Sequence, residues 1–268
     1  MSEPRRTESR NPRARGIESF TTRQILELMN DEDAGVPAAV RSALPATLKA
    51  VDAIVGAIAR GGHVIYVGAG TSGRLGVLDA SEAPPTFGVE PDVFHGIIAG
   101  GDTALRSSIE GAEDDESAGR RDVTQVVRRD DVIVGISAGG GAPYVLGALA
   151  AGKQVASATV GITCNSDSPL ARAADIAIVV DVGPEVLAGS SRLKAGTATK
   201  LVLNMLSTAA MIRSGRTRGD LMIDLRPTNA KLRERAVRMV QDETGIGEDE
   251  ARARLEAADW NVRKALER

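Results

Sequence analysis

Short apolar runs that end in glycine-rich loops recur along the middle of the chain. Residues 63–67 (HVIYV) lead into residues 68–73 (GAGTSG), after which residues 74–80 have a composition compatible with a helix. Residues 131–136 (DVIVGI) likewise lead into a loop with three consecutive glycines and then into an Ala- and Leu-rich segment. Each passage predicts a strand, a tight loop and the start of a helix.

Two further apolar runs, residues 157–162 and 175–180, also predict buried strands. Nearly continuous apolar strands that alternate with helical segments are typical of a parallel sheet covered on both faces. We therefore expect an α/β fold with a doubly wound, mostly parallel sheet over residues 51–217. Residues 1–50 are expected to form a tail and helices, and residues 218–268 a small helical C-terminal domain.

Helical patterns precede the first predicted strand and follow the last one. Residues 21–30 and 37–60 predict helices on the N-terminal side. Residues 229–243 and 247–258 predict two helices near the C-terminus, where no strand pattern is found. The small C-terminal domain is therefore expected to be entirely helical.

Composition narrows the classes of function. A net charge of -3 provides no global field for polyanions, and six aromatic residues (one Trp, two Tyr, three Phe) are too few for nucleic-acid stacking platforms. One cysteine, Cys164, and two histidines make a His/Cys zinc site unfavourable. No signal peptide and no apolar stretch of about 18 residues is found. We expect a cytoplasmic protein that binds no nucleic acid, membrane or metal.

Both glycine-rich loops are candidate anion sites. In open α/β sheets, ligands bind outside the carboxyl ends of the strands, where helix N-termini present free N–H groups. Gly70, Thr71 and Ser72 in the first loop and Ser137 in the second are candidates for phosphate binding. Two alternatives stay open: nucleotide binding through the G-x-G-x-x-G spacing, and glycines that serve only close helix-to-strand packing.

A third polar cluster, residues 189–197 (GSSRLKAGT), precedes a long helical run. Ser190 and Ser191 have the residue type of helix caps, which is the commoner use of such a pair. Lys194 is harder to explain, because a cation near a helix N-terminus opposes the helix dipole unless an anion lies nearby. We favour contacts from Ser190, Ser191 and Lys194 to an anionic ligand.

Carboxylates are the candidate acid–base groups, because neither His63 nor His95 lies in a glycine-rich loop. Glu82 precedes residues 83–85 (APP), which predict the end of a helix and a fixed position near the edge of the pocket. A simple exposed helix residue is the alternative for Glu82. Glu113 stands in an acidic run that is also typical of a solvated helix start.

Longer motifs resemble one family along most of the chain. The motifs are residues 68–88, 98–101, 110–114, 190–197 and 201–207. In these segments, and from about Thr21 to Asn229 as a whole, the sequence is similar to the N-acetylmuramic acid 6-phosphate etherases, which belong to the sugar isomerase (SIS) superfamily. Weaker similarity extends to the glucokinase regulatory protein, which binds sugar phosphates without catalysis.

The resemblance implies a cofactor-free lyase that acts in cell-wall recycling. Such an enzyme splits the lactyl ether of N-acetylmuramic acid 6-phosphate with water, giving N-acetylglucosamine 6-phosphate and D-lactate. The family's two catalytic glutamates fall on Glu82 and Glu113. Glu113 would remove the C2 proton of the ring-opened sugar, and Glu82 would protonate the departing oxygen at C3. The resemblance also implies a homodimer with a shared site.

Two features depart from the family pattern. The family's second loop usually reads Ser-Gly-Arg-Thr-Pro, whereas residues 139–143 read GGGAP, so three side-chain donors are missing. The C-terminal helical part is a few tens of residues shorter than usual. A noncatalytic sugar-phosphate regulator and a paralogue for another amino-sugar phosphate therefore stay open as alternatives. An aldose–ketose isomerase is disfavoured by the motif around Glu82.

Overall fold

A computed structural model describes residues 6–225, 227 and 229–267. Within these residues the strands are β1 (Val64–Gly68), β2 (Phe94–Ile98), β3 (Val132–Ile136), β4 (Ala158–Thr163) and β5 (Ile176–Val179). They form one all-parallel sheet in the order β2-β1-β3-β4-β5. The predicted α/β class is confirmed.

Helices surround the sheet and continue beyond it. None of them alone, in the part of the chain that the structure describes, is long and apolar enough to cross a membrane. They are α1 (Thr22–Asp33), α2 (Val36–Ser42), α3 (Leu44–Ala59), α4 (Gly70–Phe87), α5 (Thr103–Arg106), α6 (Glu116–Thr124), α7 (Pro143–Gly152), α8 (Pro169–Ala173), α9 (Lys194–Arg213), α10 (Ala230–Thr244), α11 (Glu248–Glu256) and α12 (Val262–Leu266).

Successive residues of the central strands face two different cores. On one face, Val64 and Tyr66 of β1 pack in a core that includes residues of α2, α3, α4 and α9. On the other face, Ile65 and Val67 pack in a core with residues of α6, α7 and α8. Because β1 and β3 are buried on both faces, their sequences are nearly continuous apolar runs. This is the doubly wound arrangement that the sequence predicts.

The C-terminal helices have a core of their own. Residues of α10, α11 and α12 form a separate buried apolar cluster with Ile223 and Leu225. Asn229 begins α10 by accepting the N–H of Leu232 at 2.9 Å through its side chain. The predicted C-terminal helices are therefore present, and they pack mainly on one another.

The edge strand β2 is missing from the sequence prediction. Its pattern, FHGII, places an exposed His95 and a half-buried Gly96 between buried Phe94 and Ile98. An edge strand with one neighbour needs fewer apolar residues than a central strand, and a glycine weakens the strand pattern further. The sequence signal is correspondingly weak.

Two prolines do not end α4, contrary to the prediction. Pro84 and Pro85 lie in the last turn of the helix, and the helix continues to Phe87. The prolines leave the carbonyls of Ala80 and Ser81 without their usual helical donors, and the helix continues for only two residues beyond Pro85. Gly88 ends the helix instead, with a φ of 63° and its N–H donated to the carbonyl of Pro84 at 2.9 Å.

The helix predicted over residues 37–60 is divided into α2 and α3 at Ala43. Pro45 is the second residue of α3, where its missing N–H leaves no helical hydrogen bond unmade. In a continuous helix the same proline would remove the donor for the carbonyl of Arg41. The chain therefore begins a new helix there.

Candidate functional site

The strand order reverses between β1 and β3, because the chain moves outward to β2 on one side and to β4 and β5 on the other. In open α/β sheets, ligands bind at such a switch point, outside the carboxyl ends of the strands. A cavity of about 380 Å³ lies there, between the loops that follow β1 and β3. We call it the switch-point cavity, and its walls include Gly70, Thr71, Ser72, Glu113, Ser137 and Ser191.

The loop after β1 uses glycine in two ways. A Cβ atom on Gly68 would lie 2.6 Å from the backbone nitrogen of Gly73, so both glycines permit close packing of β1 and α4. Gly70 has a φ of 53° and starts α4. The first turn of α4, with the hydroxyls of Thr71 and Ser72, therefore borders the cavity, where helix N–H groups favour an anion.

The loop after β3 is ordered by Ser137 and Gly140. Ser137 is buried, and its Oγ accepts the N–H of Gly140 at 3.1 Å, which leaves the hydroxyl proton to donate elsewhere. Gly140 has a φ of 67°, and a Cβ atom there would lie 2.3 Å from the Cβ of Ser168. Only glycine fits this position, and the neighbouring loop residues line the cavity with backbone in place of side-chain donors.

The third polar cluster contributes only part of its side chains. Ser191 lines the switch-point cavity, but the structure brings neither Ser190 nor Lys194 to its walls. Glu185, which is 1% exposed, accepts the N–H groups of Lys194 and Ala195 at 3.1 and 3.0 Å. The N-terminus of α9 is therefore already occupied by a carboxylate of the protein, and these N–H groups are not available to a phosphate.

Lys194 itself forms a buried ion pair with Glu32 of α1. Its Nζ lies 2.5 Å from Oε2 of Glu32, and the two side chains are only 6% and 13% exposed. Burial opposes ionisation of Glu32, but the hydrogen bond and charge of Lys194, together with hydrogen bonds from Asn11 and Arg13, outweigh it and lower the pKa of that carboxyl. The anion that Lys194 needs is thus supplied within the chain.

Glu8 lines the same cavity, although sequence analysis does not identify it. The N–H of Gly189 donates to the carbonyl of Thr7 at 3.1 Å, and the side-chain amide of Asn165 donates to the hydroxyl of Thr7 at 3.2 Å. Thr7 is 2% exposed, so the backbone of the next residue, Glu8, is held in place. Because these partners are distant in sequence, no local pattern shows where Glu8 lies.

The two candidate glutamates lie apart in the single chain. Glu113 stands on a 3₁₀ turn (Ala112–Asp114) and lines the switch-point cavity. Glu82 is exposed on α4, about 18 Å along the helix from Gly70 at the usual rise per residue. One chain therefore brings Glu113, but not Glu82, to the cavity.

Comparisons with known proteins place these features in a family. The glucokinase regulatory protein N-terminal SIS domain family matches residues 46–153, and the SIS domain family matches residues 112–209. An N-acetylmuramic acid 6-phosphate etherase from Jannaschia sp. (strain CCS1) is 52% identical over 261 residues, covering 97% of this chain and 83% of that protein. The chain belongs to the N-acetylmuramic acid 6-phosphate etherase family.

Etherases from other bacteria show a similar degree of likeness. N-acetylmuramic acid 6-phosphate etherase 2 of Vibrio parahaemolyticus is 50% identical, with 97% of this chain and 87% of that protein covered. N-acetylmuramic acid 6-phosphate etherase 1 of Bacillus licheniformis is 49% identical, with coverages of 97% and 86%. The resemblance to the etherase family is confirmed over almost the whole chain.

Solved structures share the fold of this etherase family member. A protein of Escherichia coli CFT073, in complex with a sugar phosphate, aligns with a TM-score of 0.55 and 18% identity, covering 75% of this chain and 97% of that chain. The phosphoheptose isomerase GmhA from Neisseria gonorrhoeae aligns with a TM-score of 0.53 and 18% identity, with coverages of 71% and 98%. The SIS-like fold is therefore confirmed.

Proposed function

We propose that this chain is a cytoplasmic carbon–oxygen lyase of cell-wall recycling. Its substrate is N-acetylmuramic acid 6-phosphate, and its products are N-acetylglucosamine 6-phosphate and D-lactate. Membership of the etherase family supports the reaction. The structural observation that carries the proposal is the position of Glu113 on the wall of a cavity that is also lined by hydroxyl groups and by the first residues of α4 and α7.

The phosphate would lie between the N-termini of α4 and α7. Thr71, Ser72, Ser137 and Ser191 supply hydroxyl donors around the switch-point cavity, and the adjacent backbone supplies N–H groups. In the second loop, the glycines leave only backbone to replace the three side-chain donors usual in the family. A phosphate bound by helix N-termini and loop N–H groups does not require those side chains.

The reaction needs two proton-transfer groups. Opening the sugar ring exposes an aldehyde at C1, which acidifies the proton at C2. Glu113 takes this proton, a double bond forms between C2 and C3, and the C3–O bond breaks while Glu82 protonates the departing oxygen of D-lactate. Water then adds its oxygen to C3 and a proton returns to C2. Carboxylates suit both steps, because a positioned carboxylate accepts a proton and a positioned carboxylic acid donates one.

Isotope placement tests this reaction directly. With N-acetylmuramic acid 6-phosphate as substrate, we expect enzymatic detection of D-lactate. In deuterium oxide the sugar product should carry deuterium at C2, and in ¹⁸O water it should carry ¹⁸O at C3, because elimination precedes hydration. Label in the lactate oxygen would mean cleavage on the lactate side and would rule out the mechanism.

The glycine-rich second loop favours one alternative function. A chain that has lost side-chain phosphate donors could bind sugar phosphates as a noncatalytic regulator. Tight binding of N-acetylglucosamine 6-phosphate without D-lactate release from the muramic acid substrate would support this alternative over the lyase.

An apolar face formed by α4 and α9 supports pairing of two chains. Leu78 is 43% exposed and Met205 is 36% exposed. Leu75 and Leu201 line a groove between the two helices. Glu82 lies one turn beyond Leu78 on the same side of α4. A second copy that covered this face would bury the carboxylate of Glu82 against its partner.

We therefore propose a homodimer in which each site takes Glu113 from one chain and Glu82 from the other. Light scattering at micromolar concentration should give twice the chain mass. Leu78→Glu combined with Met205→Glu should give a monomer without lyase activity, whereas Val155→Glu, at another exposed apolar residue, should remain dimeric. A wild-type monomer with full activity would contradict the proposal.

Mixed dimers test the sharing of the site. When Glu82→Gln and Glu113→Gln chains are unfolded together and refolded, one site of each mixed dimer contains both native glutamates. Random pairing should then restore roughly a quarter of wild-type activity, as the two-fold symmetry requires. If each site used both glutamates of one chain, the mixture would remain inactive.

A further inference from the structure

A second cavity adjoins the switch-point cavity. It measures about 330 Å³ and shares Ala69, Gly70 and Glu113 with that cavity. Ala104 and Ile109 give it apolar walls. We call it the side cavity. Because Glu113 lines both cavities, a ligand that reaches Glu113 from the switch-point cavity lies at the entrance of the side cavity.

Arg74 of α4 also lines the side cavity. Its Nε donates to the carbonyl of Leu105 at 3.2 Å, and one terminal nitrogen donates to the carbonyl of Ser107 at 3.3 Å. These bonds fix the guanidinium group but do not neutralise its charge. Among the described residues, no carboxylate lies within ion-pair distance of Arg74. The guanidinium keeps unused N–H donors for a planar anion.

The charges around the two cavities explain why this cation matters. Among the described residues, the charged side chains that line the switch-point cavity are all acidic: Glu8, Glu113 and Asp114. Of the described residues that line the side cavity, Arg74 is the basic one, and Glu110 and Glu113 are acidic. The proposed substrate has two anionic groups, a phosphate and the carboxylate of the lactyl group. Backbone N–H groups can bind the phosphate, but the carboxylate needs a separate cationic partner.

The position of Glu113 determines where the lactyl group must extend. Glu113 takes the proton from C2, and the lactyl ether is attached to the neighbouring carbon, C3. With the phosphate at the N-termini of α4 and α7, the lactyl group leaves the sugar beside Glu113. The side cavity opens there, with Arg74 for a carboxylate and Ile109 for a methyl group.

We propose that the side cavity is the subsite for the lactyl group and that Arg74 binds its carboxylate. This inference rests on the proposed function. It makes Arg74 a residue that determines specificity: it distinguishes the muramic acid substrate from sugar phosphates that have no carboxylate at C3. Arg74 contributes little to the binding of the sugar product, because the product lacks the lactyl group.

Two ligands that differ only in the lactyl group provide the test. Calorimetry on the Glu113→Gln chain, used to prevent turnover, gives the affinities for N-acetylmuramic acid 6-phosphate and N-acetylglucosamine 6-phosphate. Adding Arg74→Met should weaken the affinity for N-acetylmuramic acid 6-phosphate by about 10- to 100-fold, which is the range for a lost charge-assisted hydrogen bond. The affinity for N-acetylglucosamine 6-phosphate should change by less than about twofold, and this retained binding also shows that the site is folded.

Further variants separate charge from structure. Arg74→Gln keeps an N–H donor for the carbonyls but no charge, and it should behave like Arg74→Met. Arg106→Met, an exposed arginine outside both cavities, should change neither affinity. Unchanged preference for the muramic acid ligand in both Arg74 variants would overturn this inference alone. If the chain with Arg74 intact shows no preference for the muramic acid ligand, both the proposed function and this inference are overturned.

Discussion

Glu113→Gln is expected to lower the turnover of N-acetylmuramic acid 6-phosphate by about 10²- to 10⁴-fold, the usual contribution of one positioned acid–base group. Glutamine keeps the size of the side chain but cannot accept the C2 proton. Affinity for N-acetylglucosamine 6-phosphate should remain largely intact, because the variant leaves the proposed phosphate contacts, Thr71, Ser72 and Ser137, unchanged. D-lactate release and calorimetry measure the two effects separately.

Glu82→Gln should reduce turnover to a similar extent but at a different step. In the proposed mechanism Glu82 protonates the departing oxygen, so without it the C2 proton can still be removed and returned. In deuterium oxide, unreacted substrate should therefore gain deuterium at C2 with Glu82→Gln but not with Glu113→Gln. Proton NMR of the recovered substrate distinguishes the two variants.

A matched control for these variants is available nearby. Glu116 is an exposed glutamate at the start of α6 that pairs with Arg120 at 2.7 Å. Glu116→Gln should retain near-wild-type turnover, because it lies outside the switch-point cavity and an exposed pair of this kind contributes little to stability. Near-wild-type lactate release by Glu82→Gln or Glu113→Gln would exclude that residue from the reaction.

The architecture can be predicted because its strongest signals are local. The central strands β1 and β3 are buried on both faces, and glycine-rich loops end them abruptly. The sequence does not predict β2, because an edge strand interrupted by His95 and Gly96 has a weaker pattern. Pro45 stands at the start of a new helix, whereas Pro84 lies inside α4. The two prolines differ in their position within a helix, and sequence alone does not give that position.

The site is predictable only where it follows from the sheet. Thr71, Ser72 and Ser137 follow parallel strands, so the topology of the sheet brings these three residues to the same edge. Glu8 reaches the cavity through contacts with segments more than a hundred residues away, and sequence spacing carries no trace of them. The charge of Lys194 correctly indicates a nearby anion, but it does not show whether a ligand or the protein supplies it.

Lys194→Met is expected to lower the free energy of unfolding by about 3 kcal/mol, since breaking a buried ion pair leaves an uncompensated charge. Glu32 would keep hydrogen bonds from Asn11 at 2.9 Å and Arg13 at 3.1 Å, which limits the loss. Urea unfolding monitored by circular dichroism measures it. Glu32→Gln should also destabilise, and the double variant should cost less than the two single changes together.

The pH dependence of stability identifies the pair. The folded-state pKa of Glu32 is lowered from its ordinary value of 4.5. A lowered pKa of an acid means that the stabilisation is fully present above the unfolded-state pKa and is lost as the pH falls through the folded-state pKa. Below about pH 4.5, the wild-type chain should therefore lose stability more steeply than Lys194→Met. If Lys194 served a ligand instead, Lys194→Met would unfold like the wild type at every pH and show only weakened binding of N-acetylglucosamine 6-phosphate.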